Sequence, residues 1–295
     1  MTAVELDPDV GVADDDEDAL TDTPCKPFIR WVGSKVQLLP ALRACLPKRI
    51  THYAEPFIGG GALFFAIQPR HAVLSDMNLR LVRTYRAIQA DVEGVIATLK
   101  TYATAFESCA AAGTAEGLYY HLRDTINPDA MSDVELAAWF ICLNKTNFNG
   151  LYRVNAAEKF NVPYGHRKNP LICDEVTLRS CSAALQRAVI VHRDFRETNI
   201  PAGGICYMDS PYWPLTGTAD FTSYTAEGFS WKDQTDLRDL AVRLKQRGVQ
   251  VLLSNSDTPA TRELYKDFEV LTVSARRNIA ASTSSRASVN ELLIR

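Results

Sequence analysis

His52-Tyr53-Ala54-Glu55-Pro56-Phe57-Ile58-Gly59-Gly60-Gly61 is an apolar entry, an acid-proline turn and three adjacent glycines, followed by apolar Ala62 to Ile67. That order reads as strand, tight turn, helix. About 20 residues further on, Ala72-Val73-Leu74-Ser75 ends in Asp76, a second strand with an acid at its carboxyl end. Together they predict a βαβ unit and an α/β fold. The glycine run lets backbone approach a ligand closely, and the Asp76 carboxylate suits ribose hydroxyls. Taken alone, the pattern fits nicotinamide, flavin or S-adenosylmethionine, and equally a turn that serves only tight packing.

Working outward, Leu38, Leu39, Leu42 and Leu46 share a helical face that closes before Pro47. Residues 79–107 and 132–144 read as helices, the aromatics of the first as core. Residues 147–170, dense in Asn, Gly, Tyr, Arg and Pro, read as a hairpin and loops. Strands resume at 188–191, 204–208 and 249–253, with a helix near 232–247. The expected organisation is an α/β body, residues 26–85 and 186–295, interrupted by a module at 86–185.

The chain has 295 residues and a formal charge of −3, which taken alone argues against a phosphate-rich partner. The average conceals a division. Residues 1–25 hold nine acids and no Lys or Arg, so the remaining 26 acids face all 32 bases and the body carries +6. Self-repulsion and a lack of buriable surface make the leader read as a disordered tail. No apolar run approaches a membrane span, and no basic n-region with an apolar core marks a secretory signal. The seven cysteines form no Cys-x-x-Cys pair, and the five histidines form no ligand-spaced set. A cytoplasmic protein without metal is expected.

The chemistry concentrates at Asp209-Ser210-Pro211-Tyr212, directly after the apolar strand ending at Met208. A carboxylate, a proline-stiffened turn and an aromatic at a strand's carboxyl end suit a planar base with an exocyclic amine. Asp209 can accept one amine hydrogen, the Ser210 carbonyl the other, and Tyr212 offers a stacking face. The competing reading is a buried strand-end turn with a capping Asp and a core Tyr. The glycine turn upstream favours function.

In these and further blocks the sequence resembles the Dam-type, D12 class of S-adenosylmethionine-dependent DNA adenine N6-methyltransferases. The blocks run from Phe28-Ile29-Arg30-Trp31-Val32-Gly33-Ser34-Lys35 through Asn147-Phe148-Asn149-Gly150-Leu151-Tyr152-Arg153, Phe160 to Gly165, Arg193-Asp194-Phe195, Phe221 to Tyr224 and Leu253-Ser254-Asn255 to Asn290-Glu291-Leu292. The resemblance implies a Rossmann-like methyltransferase sheet with an inserted, mainly helical target-recognition domain carrying a hairpin. It implies that Trp31, Lys35, Glu55, Phe57, Gly59, Asp76, Asp194, Phe195 and Asp209 bind S-adenosylmethionine, and that Asp209, Ser210, Pro211 and Tyr212 carry catalysis. Arg30, Phe148, Asn149, Leu151 and Arg153 would contact double-stranded DNA, with GATC or a similar site as target and a monomer as the working unit. Two positions depart from the family pattern: Ser210 stands where proline is commonest, and Ser34 where glycine is usual. Cytosine N4, adenine in RNA, a non-catalytic DNA-binding relative and, more distantly, a nicotinamide-dependent oxidoreductase remain alternatives.

Overall fold

The computed structural model describes residues 25–214, 228–276 and 288–295. The acidic leader 1–24, the Phe221–Tyr224 block and the Ser/Thr-rich stretch with Arg277 and Arg286 lie outside them. Among the described residues the chain is mixed α/β, with nine α-helices and one seven-stranded sheet.

Helix α1 (Leu39–Ala44) leads into β1 (His52–Glu55), α2 (Ala62–Ile67) and β2 (His71–Asp76), as the opening stretch predicts. Five helices follow: α3 (Leu79–Ala90), α4 (Val92–Ala111), α5 (Ala115–Asp124), α6 (Asp133–Thr146) and α7 (Glu175–Leu185). Then come β3 (Ala188–His192), β4 (Ile205–Met208), α8 (Trp231–Gln246), β5 (Gln250–Ser256), α9 (Pro259–Leu264), β6 (Val270–Arg276) and β7 (Ser288–Ile294). The single helix expected over 79–107 is two. Asp91 leaves the helical region (φ −148°, ψ 70°) and its carboxylate accepts from Gly94 N, so a new N-terminus starts there. Residues 147–170 form a hairpin without regular strands, with single bridges at Asn147–Tyr164 and Val154–Phe160.

The strand order is β3-β2-β1-β4-β5-β7-β6. The first five are parallel, and β7 runs antiparallel to both β5 and β6. The period-two alternation of strands sorts side chains into two cores. Tyr53, Ile205, Tyr207 and Leu252 face a core shared with α3, α4, α6 and α7. Ala54, Cys206, Met208, Val251 and Leu253 face another that α8 closes with Leu237, Leu240, Ala241 and Leu244. Coverage on both faces explains why β4 is buried at all four positions and reads as a continuous apolar run. The chain moves outward from β1 through β2 to β3, then returns to place β4 on the other side of β1. This reversal opens a crevice at the carboxyl ends of β1 and β4, where an open α/β sheet binds its ligands.

Candidate active site

Three carboxylates stand at those strand ends. Glu55 closes β1 with 2% of its surface exposed, and the Tyr53 hydroxyl donates to its Oε2 at 2.7 Å. Burial pushes its carboxyl up to about 8, the Tyr53 hydrogen bond opposing and the Asp209 charge adding. Asp76 closes β2. Its Oδ2 accepts from Gly59 N at 3.2 Å and its Oδ1 from Asn78 N at 2.9 Å, so it ties the glycine turn to its strand. Burial lifts Asp76 to about 6 against those bonds. Gly59 is required by space: a Cβ there would meet Trp31 Cδ1 at 2.7 Å. The Trp31 indole also stacks on Tyr152, with centroids 5.4 Å apart, and so joins the turn to the aromatics of the 147–170 hairpin.

Asp209 follows β4. Lys35, 5% exposed, reaches its Oδ1 at 2.8 Å and also donates to the Gly33 carbonyl. The same ammonium lies 4.7 Å from the centre of the Tyr212 ring, and the Tyr212 hydroxyl donates to Glu291 Oε2 at 2.7 Å. Burial raises Asp209 to about 6; Lys35 opposes and Glu291 adds. Lys35 is therefore seated on the carboxylate of the Asp209–Tyr212 turn.

Ser210 is 3% exposed and its hydroxyl has no hydrogen-bond partner among the described residues. Removing an unpaired buried hydroxyl relieves a desolvation cost while leaving the main-chain carbonyl in place. Ser210→Ala is expected to stabilise the protein by up to about 1 kcal/mol in a denaturant melt. The activity that the resemblance implies should stay within about threefold, because the backbone acceptor survives; a far larger loss would give the hydroxyl itself a part in the chemistry.

Asp194 accepts from Arg196 N at 2.8 Å and pairs with the Arg196 guanidinium at 3.1 Å. Phe195 is buried, 5.2 Å from the Phe57 ring and 5.8 Å from Phe229, and together they make an apolar wall beside the glycine turn.

A second group assembles around Asn144, which is 3% exposed on α6. Its Oδ1 accepts from Arg30 N at 2.9 Å, while its Nδ2 donates to Arg30 O at 2.8 Å and Gly150 O at 3.1 Å. Arg30 is thereby fastened to the Phe148–Arg153 segment although far from it in sequence. Asn149 is left-handed (φ 57°) and Phe148 is 49% exposed. The Arg153 guanidinium is held by Asn161, donating from Nε at 2.8 Å to the side-chain oxygen and from one terminal nitrogen at 3.2 Å to the main-chain carbonyl. Gly150 has φ +68°, and a Cβ there would come 2.5 Å from Arg30 Cβ. Gly150→Ala is expected to cost about 1–3 kcal/mol in chemical denaturation.

The structure thus brings Lys35, Glu55, Asp209 and Tyr212 together, Phe57 with Phe195, and Arg30 with Phe148–Arg153. It adds residues that received no role from the sequence: Tyr53, Asn144, Gln234 and Glu291. Glu291 and Asn255 stand in quoted blocks; a polar residue near the end of an apolar strand was the available signal for Asn255, and an acid directly before an apolar run for Glu291. Gln234, among the charged and polar residues of the first turn of α8, carried none.

Acids at the carboxyl ends of parallel strands, a glycine turn and a Lys-paired Asp beside an anchored Tyr define an α/β enzyme acting at the crevice where strand order reverses. Residues 31–279 match the D12 class N6 adenine-specific DNA methyltransferase family, and the chain belongs to it. It is 41% identical over 276 residues to the type II methyltransferase M1.LlaDCHI of Lactococcus lactis subsp. cremoris, covering 91% of this chain and 94% of that protein. It is 38% identical over 284 residues to the type II methyltransferase M.MjaIII of Methanocaldococcus jannaschii, covering 91% and 98%. To the DNA adenine methylase of Escherichia coli K12 the identity is 31% over 268 residues, covering 90% and 93%. The protein is an adenine-specific DNA methyltransferase that uses a methyl donor and acts on DNA. The cytosine, RNA and nicotinamide alternatives give way to this family membership. Among the described residues, no helix is long and apolar enough to cross a membrane, and no group of three or more His, Cys, Asp or Glu is placed to hold a metal.

Proposed function

We propose that the donor is S-adenosylmethionine and that Asp209, the Ser210 carbonyl and Tyr212 receive an adenine flipped from double-stranded DNA. The observation that carries this reading is the Lys35–Asp209 pair beside the Tyr212 ring, at the crevice that also holds Glu55. The donor set fits the cofactor. Asp76 offers carboxylate acceptors to vicinal hydroxyls, Glu55 and Asp209 face a cationic group, and Phe57 with Phe195 offers an apolar wall to a purine. Trp31 and Gly59 shape the turn between them. When bound, the cofactor supplies a methyl group activated by positively charged sulfur.

Adenine N6 is a weak nucleophile because its lone pair is delocalised into the ring. Two acceptors, Asp209 and the Ser210 carbonyl, hold its hydrogens so that the nitrogen becomes pyramidal and the lone pair is available. As the nitrogen takes the methyl group it gains positive charge, which the Asp209 carboxylate opposes across a short, water-poor path. One N6 proton then leaves to Asp209 or to water. Base flipping costs a few kcal/mol, and stacking on Tyr212 offsets part of it.

Residues 26–85 and 186–295 are assigned to the cofactor unit and 86–185 to target recognition. Arg30, Phe148, Asn149, Leu151 and Arg153 form the base-reading set. Support comes from the cations around it. Burial depresses the Lys145 ammonium, and its neighbours Arg30, Lys26 and Arg167 press it the same way, with Asp174 opposing. Such a cluster suits phosphates. The reading includes a GATC or similar target, a monomeric enzyme and cytoplasmic work. Sequencing that detects methylated bases, applied to DNA from an expressing, methylation-free host, tests it. N6-methyladenine within GATC is expected. A different methylated motif would overturn the base-contact assignment, and absence of N6-methyladenine would overturn the reaction.

A further inference from the structure

Both peptide groups flanking Tyr212 are held by two buried amides. Gln234, on α8 and 1% exposed, donates from Nε2 to the Pro211 carbonyl at 2.8 Å. Asn255, near the end of β5 and 1% exposed, donates from Nδ2 to Gln234 Oε1 at 2.9 Å. Its own Oδ1 accepts from Trp213 N at 3.3 Å and from Ser256 N at 2.8 Å. The Ser256 hydroxyl closes the set by donating to the Trp213 carbonyl at 2.6 Å. Each amide nitrogen faces an oxygen and each amide oxygen faces an N–H, so only one orientation of each amide satisfies the chain. The Trp213 ring packs edge-on against Trp231 of the same helix, with centroids 4.7 Å apart.

The setting makes the amides conspicuous. The rest of the buried face of α8 is Leu237, Leu240, Ala241 and Leu244, and β5 brings Val251 and Leu253. Apolar residues would fill the same space without the desolvation that amides incur. What amides add is direction. The turn has Pro211 but not a second ring, since position 210 is Ser, so part of its backbone freedom is not removed covalently. Tyr212 is also gripped at its hydroxyl by Glu291 and overlain by Lys35. The amides complete the grip from the main chain.

We propose that Gln234 and Asn255 are positioning residues of the methyltransferase, a side-chain amide clamp that sets Tyr212 and the Asp209–Tyr212 turn in the geometry that transfer requires. The inference rests on the reading of that turn as the methyl-transfer site. Neither amide needs to touch the substrate. They act through the Pro211 carbonyl and the Trp213 amide, and a small displacement of a reacting group is enough to slow a reaction about 100-fold.

The experiment uses the full chain, with Gln234→Met, which keeps length and removes both bonds, and Asn255→Ser as a second variant. Single-turnover transfer to a duplex carrying the enzyme's methylation site, S-adenosylmethionine binding and duplex binding are measured well below each variant's melting midpoint. The expected result is a loss of about 10–100-fold in the single-turnover rate, with both binding constants within about threefold. With 2-aminopurine at the target position, the fluorescence of the bound duplex should change, reporting an altered stack on Tyr212. Three results would each overturn the clamp: wild-type rates in both variants, a rate loss that follows the unfolded fraction, or a loss carried wholly by weaker cofactor binding. Asp209→Ala run alongside separates the two levels. If it is inactive while Gln234→Met and Asn255→Ser both run at full rate, only the clamp is refuted; if Asp209→Ala also runs at full rate, the reading of the turn is refuted.

Discussion

Asp209→Ala is expected to lower single-turnover methyl transfer by at least about 1000-fold, the scale of removing a preorganised charge-stabilising group. Cofactor binding should weaken by less than about tenfold, because Asp209 does its main work as N6 becomes positive rather than in the ground state. The substitution also leaves Lys35 buried without its carboxylate partner, so part of the effect appears as lost stability. Asp209→Asn separates the two. It keeps an oxygen for Lys35 and an acceptor for the amine, but no negative charge. It should fold better than the alanine variant and still transfer slowly. Turnover of Asp209→Ala near the wild-type rate in a labelled-methyl assay would contradict the assignment of this carboxylate.

The elements that carry the crevice were legible because each follows from local pattern. Gly59 and Gly61 supply the positive φ that the turn after β1 takes, and the apolar runs at Ala72–Leu74 and Ile205–Met208 are strands that both faces of the sheet cover. Asp76 and Asp209 stood out because an acid directly after an apolar strand has few purely structural uses. What stayed hidden depended on distant partners. Asp91 sits inside a continuous helical periodicity, and only its side-chain bond to Gly94 N decides that the helix restarts. Strand β7 fills the space between β5 and β6, a pairing set by tertiary contact. The resemblance implies a cofactor contact for Lys35 but not its partner Asp209, on which its ammonium sits although well over a hundred residues away. Arg30 and Gly150 meet only because Asn144 holds both main chains.

The second large effect concerns the same pair from its cationic side. With Lys35 in place, Asp209 titrates at about 6. On the proposed reading transfer uses the ionised carboxylate, so the wild-type rate should hold above that value and fall about tenfold per unit below it. Lys35→Met removes the neighbour that, among the described residues, favours ionisation and leaves burial and Glu291, which both oppose it. The acid limb must therefore move upward, and the rate at pH 7 should drop about 10–100-fold while recovering at higher pH. Stability follows the same sign. An Asp whose folded value exceeds its unfolded value of about 4 holds its proton more tightly when folded, so stability falls as pH rises between the two values. In Lys35→Met that window extends further upward, and the variant should melt progressively earlier from acid towards neutral pH than the wild type does. Paired pH–rate and pH–melting profiles check both statements. A limb that stays at about pH 6, or moves lower, would show that Lys35 does not govern the charge of Asp209.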